Sequence, residues 1–271
     1  MAKIFKYLLV WILTINSIDS FAQKPMDISL INSKLDSIIS ESNEIFNLFK
    51  SKVDAEKIAE ERFNLNYKWL LEVKDEDSIM IKFLDSQKIV VAKMIFHEDL
   101  KNPIIINNIE DKLSNLEDSM FQIKHAFLSK INPAEFGIES HDSEKVVTIT
   151  FPYMDKYKIY RILSTKKKNT IPFGNDFLFI LNNEGKLLSW KNFHKTYNPM
   201  KTVYHGYKMG NIIPKYHNDE TYILATDIVL FRYYTEDLEI STFTVYPPKS
   251  KRYFTYNSKT NKLRVHTTLT N

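Results

Sequence analysis

The stretch Asp176 to Phe193, DFLFILNNEGKLLSWKNF, constrains this chain more than any other. Two apolar, β-favouring runs flank Asn182, Asn183, Glu184 and Gly185, a turn in which Gly supplies the positive φ that such loops need. The spacing predicts a β-hairpin. Phe177, Phe179 and Leu181 share one face of its first strand, and Leu178 and Ile180 share the other. With both faces apolar, that strand is expected at the centre of a covered sheet.

The rest of the chain divides by periodicity into a helix-rich region, 23–140, and a sheet-rich region, 141–271. Ile31, Leu35, Ile38, Ile45, Phe49 and Val53 step by three, four or seven, as on one helical face. Asp54 is placed to cap a second helix running through Ile58 to Trp69, so a helical hairpin is expected. Ile79–Leu84 and Lys88–Phe96 read as strands, the second with helix as its alternative. Ile109, Leu113, Leu116, Met120, Ile123, Phe127 and Ile131 predict a helix, with Asn108 as N-cap and Asp111 in a capping-box position. Beyond a polar loop at 134–144, strands are expected at Lys145–Phe151, Lys156–Leu163, Lys201–Tyr207, Leu238–Val245, Arg252–Tyr256 and Lys262–Thr268. Tyr222–Tyr234 is apolar almost throughout. Thr226 as a cap and Asp227 in a first turn favour a buried helix there, with a central strand as the alternative. The fold class is therefore α+β: a helical N-terminal portion, then a mostly antiparallel sheet with one buried helix.

Lys3 and Lys6 precede an apolar run, Tyr7 to Ile15, and Ser20-Phe21-Ala22 offers small residues before Gln23. This pattern predicts a signal peptide over 1–22 and export to the periplasm or the exterior. No later run is long and apolar enough to span a bilayer. With no cysteine, disulfides, thiolate metal sites and Cys nucleophiles are excluded, so stability must come from burial. A formal charge of +4 gives no support to a nucleic-acid partner.

Three of the seven histidines, His194, His205 and His217, fall close together, with Asp219, Glu220 and Asp227 nearby. Imidazole and carboxylate are the usual zinc ligands where thiols are lacking, so His205, His217 and Asp227 form a candidate metal set. Chance clustering in a loop-rich segment accounts for the same residues, and apart from such a site no cofactor is expected. Ten of the fifteen tyrosines lie between 197 and 256. Tyr197, Tyr204, Tyr207 and Tyr216, interleaved with Lys195, Lys201 and Lys208, suit a recognition surface for a protein, peptide or glycan. Packing on sheet faces is the alternative for these rings. Nucleophile-elbow, P-loop, H-E-x-x-H and G-x-G-x-x-G motifs are all absent.

A strand ending in His, a polar loop, and then Thr226 and Asp227 at a helix start resemble the core of the JAMM/MPN metalloproteases. In that family two His and an Asp hold zinc, and a Glu activates the bound water for isopeptide hydrolysis. Asp227 takes the place of the family's Asp, and His205 takes the first His loosely. Leu224, Tyr216 and Pro214 stand where the family has Ser or Thr, its second His and its first His, and no Glu matches. The resemblance therefore implies a zinc hydrolase or a degenerate member that has lost catalysis. Two functions are carried forward: a non-enzymatic binding or structural domain, and an MPN-like metallohydrolase.

Overall fold

The computed structural model describes residues 28–62, 67–194, 196–212, 221–247, 250 and 252–267. The chain divides into two compact units, Met1–Ser37 and Ile38–Asn271, and all contacts given below lie within the second. The expected signal peptide lies outside the described residues.

Helix α1 spans Ile28–Arg62 without interruption. The break expected at Asp54 does not occur. Instead of capping a new helix, the Asp54 carboxylate accepts from Lys50 one turn back at 2.8 Å and from the Tyr233 hydroxyl at 2.9 Å. It is therefore satisfied inside a helix. Trp69 opens strand β1 (Trp69–Lys74), which continues through β2 (Ile79–Leu84), β3 (Val90–Phe96) and β4 (Ile104–Asp111) as an antiparallel meander. The helix expected from Ile109 begins later. Helix α2 spans Asn115–Lys130, because Ser114 and Glu117 complete a reciprocal capping box that Asn108 and Asp111 do not. Asn108 and Asp111 belong to β4.

A short helix α3 (Pro133–Phe136) leads to the second sheet, in the order β5 (Glu144–Tyr153), β6 (Lys156–Thr165), β8 (Phe177–Asn182), β9 (Leu187–Asn192). The expected hairpin is β8–β9, and β8 is paired on both sides, to β6 and to β9. Strand β7 (Thr170–Ile171) pairs with β10 (Met200–Lys201), and β11 (Val203–Tyr204) with β12 (Tyr207–Lys208), where one strand was expected. Helix α4 covers Ala225–Thr235 and is largely buried, as its apolar run demands. A one-turn 3₁₀ helix (Glu236–Leu238) follows, and β13 (Thr242–Val245), β14 (Arg252–Asn257) and β15 (Lys262–Thr267) close an antiparallel meander. Among the described residues no helix is long and apolar enough to cross a membrane.

Helix α2 carries two apolar stripes, and each meets a different sheet. Met120, Ile123 and Phe127 pack with Tyr157, Ile159, Phe177, Phe179 and Leu181 of the second sheet. Phe121 packs with Leu71, Leu84 and Val90 of the first. Between the stripes lies Lys124, whose ammonium is buried against Glu72 of β1 at 2.8 and 3.1 Å. Glu72 also accepts from Lys52 of α1 at 3.0 Å and from the Thr150 N–H of β5 at 2.8 Å, so one carboxylate ties four elements together. Burial would raise the Glu72 pKa, but the Lys124 and Lys52 ammoniums outweigh it and hold the group below its usual range. Burial brings Lys124 down to about 8, with Lys52 adding to the shift and Glu72 opposing it.

Candidate functional site

The hairpin ends where a buried polar cluster begins. Pairing of Phe177 with Asn192 carries on past the strands: Phe193 N–H donates to Asp176 O at 3.0 Å, and Asn175 N–H donates to His194 O at 3.1 Å. This register sets Asp176 beside His194. Gly174 precedes them with φ +96°, and a Cβ there would come within 2.1 Å of the Thr196 carbonyl, so only glycine lets the two chain segments cross this closely. Asn175 also has a positive φ, 54°, and is held in it by Arg161 of β6, whose Nη1 donates to its carbonyl and to its Oδ1, each at 2.8 Å.

His194 sits between two carboxylates. Its Nδ1 lies 2.8 Å from Asp176 Oδ1, and its Nε2 lies 3.6 Å from Asp227 Oδ2. The other Asp176 oxygen, Oδ2, accepts from the Thr226 hydroxyl. The imidazole is 12% exposed and both aspartates are buried. Burial is the main reason that the Asp227 pKa rises to about 7; the Asp176 charge adds to the rise and His194 opposes it. Thr226 thus has a different task from the one its sequence position suggests. Leu224 occupies the N-cap with no side-chain bond, and the Thr226 hydroxyl is spent within the helix on Asp176. Chemically the cluster is a clasp. It fixes the start of β8, the end of β9 and the start of α4 through charge and hydrogen bonding, with the imidazole between the carboxylates rather than with them around a common point.

The candidate metal set does not gather at one place. Asp227 is buried in the clasp, whereas His205 is exposed at the turn between β11 and β12 with its ring against Tyr204, centroids 4.3 Å apart. His217 lies outside the described residues. Among the described residues, no group of three or more His, Asp or Glu is placed to hold a metal ion.

The tyrosines separate likewise. Tyr197 is half-buried; its hydroxyl donates to Glu144 and its ring lies over His141, centroids 4.3 Å apart. Burial first, then the Glu144 bond and charge, push its phenol pKa up. Tyr204 and Tyr207 are 64% and 79% exposed and face each other directly across the β11–β12 pair. Directly opposed residues project from the same face of a two-stranded ribbon. His205 and Gly206 join the strands with φ of 48° and 83°, the two positive values that a tight primed turn requires. Tyr216 lies outside the described residues.

Asp176 belongs to no motif, and the sequence pattern offered Thr226 as a helix cap and not as a partner of Asp176. A signal for the Asp176–His194 pair does exist, since a hairpin running from 177 to 192 must bring its two flanks together. No comparable signal brings Asp227, singled out in the sequence as a metal ligand, to this pair; it arrives from a helix far along the chain. The chain matches no family model, no curated protein and no solved structure.

Proposed function

We propose that this chain is an exported binding domain, acting in the periplasm or outside the cell, whose recognition element is the β11–β12 hairpin. The supporting observation is the cross-strand pair Tyr204 and Tyr207, exposed on one face of a tight turn. Two large rings left in water contribute little to folding, yet a rigid turn holds them side by side. Such rings offer apolar area at low entropic cost together with a polar tip, which suits a peptide, protein or glycan partner. Tyr204→Ser/Tyr207→Ser should leave the melting temperature unchanged while abolishing binding to whatever the intact chain retains on peptide and glycan arrays. Array binding indifferent to the double substitution would remove the hairpin from the proposal.

A second reading, the MPN-like zinc hydrolase in active or degenerate form, is favoured by one observation. Asp227 Oδ2 is buried with no hydrogen-bond partner among the described residues, as an unmet ligand atom would be. Elemental analysis of the purified chain separates the two readings. Stoichiometric zinc that is lost in Asp227→Ala supports the hydrolase, and metal-free protein supports the binding domain.

A further inference from the structure

Helix α4 also carries a half-buried cation, Arg232, in its last turn. Arg232 lies in a cleft of about 280 Å³ between α1, α4, the 3₁₀ turn and the β14–β15 connection. Its guanidinium stacks on the Phe46 ring at 3.7 Å, and its Nη1 donates to the Asn43 side chain at 2.7 Å. Asn43 is itself fixed by Asn261 at 3.0 Å, and Asn261 in turn accepts from the Tyr256 hydroxyl at 2.9 Å. One face and one corner of the fork are therefore held. Among the described residues no carboxylate lies within ion-pair distance of it. Glu236 lines the same cleft but is taken by Lys50 at 2.9 Å, and the Glu239 side chain, 87% exposed, leans toward Lys208. Burial lowers the Arg232 pKa without neutralising a group of such high intrinsic basicity. The guanidinium is half-buried, feels the Glu236 charge only at a distance, and has its remaining donors open to the cleft, so it is placed to take an anionic partner there.

We propose that the Arg232 cleft is a binding site for a small organic carboxylate. The oxyanion takes the free edge of the guanidinium, where the fork matches a planar carboxylate, with Lys259 at the rim as a second cation and Ser241 and Ser258 as hydroxyl donors. Phe46 and Ile240 give the ligand an apolar wall, so its organic part is held as well as its charge. The flanking Glu236 and Glu239 favour a monoanion over a phosphate dianion, because each added negative charge is repelled by both. This site is independent of the tyrosine hairpin.

Benzoate is the probe, followed by NMR on the 15N-labelled full chain at the Arg232 side-chain Nε–H and the Ser241 and Ser258 amides. Benzoate should shift these signals saturably, benzamide should not, and inorganic phosphate should bind more weakly. Arg232→Gln should raise the benzoate dissociation constant by about tenfold or more, the loss of one charge-assisted pair. Should that variant fail to fold, Lys259→Gln, at an exposed position, should still weaken benzoate severalfold in a protein of unchanged stability. Absence of saturation at Arg232 with benzoate overturns the proposal, as does benzamide binding equally well, phosphate binding more tightly, or a folded Arg232→Gln that binds benzoate like the parent.

Discussion

Because Asp227 is buried against Asp176, its carboxyl keeps its proton up to about 7, whereas in the unfolded chain it titrates at the ordinary 3.8. Between those values the folded state holds a proton that the unfolded state has released, so raising the pH favours unfolding. The contribution of this group is fully present below 3.8, declines across the interval, and is lost above about 7. Asp227→Asn keeps the shape and cannot ionise. The melting temperature of Asp227→Asn minus that of the parent should therefore become steadily more positive from pH 4 to pH 7 and then level off. A flat or falling difference would mean that the folded carboxyl carries no extra proton and that His194, 3.6 Å away, outweighs burial. At this scale the sequence was half legible. The Asp176–His194 pair follows from hairpin register alone, whereas the Thr226–Asp176 bond joins residues 50 apart and depends on how α4 packs, which no local pattern encodes.

Elements whose signals are local and uncontested were readable: the β8–β9 hairpin, the β5–β6 pair and the β14–β15 pair stand where alternation and turn residues put them, whereas the strand expected from Leu238 begins only at Thr242, after a 3₁₀ turn. Errors arose where two local signals competed. Asp54 is a good cap by type but is satisfied by Lys50 and Tyr233 inside α1, and Asn108 lost to Ser114, which alone has Glu three residues on. Least legible was the knot at Glu72, since a Glu in a strand and two Lys on amphipathic helices all look like surface residues. Their burial together makes a sharp energetic prediction. Glu72→Gln strands the Lys52 and Lys124 ammoniums in the interior and should cost about 3–5 kcal/mol, read by urea denaturation. Replacing Lys124 by Met in that background removes one stranded charge and should restore part of the loss. If the double variant is less stable than Glu72→Gln, the knot acts through packing and not through charge.

For the unit Ile38–Asn271 the question is whether its sheets fold independently, as a helix-rich region followed by a sheet-rich one would suggest. The architecture argues for one cooperative body. Helix α2 offers Phe121 to the first sheet and Met120 and Phe127 to the second, and Glu72 bonds to α1, α2 and β5 at once, so neither sheet can lose its cover without exposing the other's. Cooperative loss of shared cover gives a single transition, whereas separable cores give two. Tryptophan supplies a reporter on each side. Trp69 of β1 packs edge-on against Phe121 with centroids 5.5 Å apart, and Trp190 of β9 packs against Phe136 at 5.2 Å. In a Trp11→Phe background, urea unfolding followed by Trp69 alone (Trp190→Phe) and by Trp190 alone (Trp69→Phe) should give the same stability change on adding Glu72→Gln. Each probe should move by the full amount, because the knot belongs to both sheets. A Glu72→Gln shift seen by Trp69 but not by Trp190 would divide the unit at the loop before β5 and make α2 a cover for one sheet only.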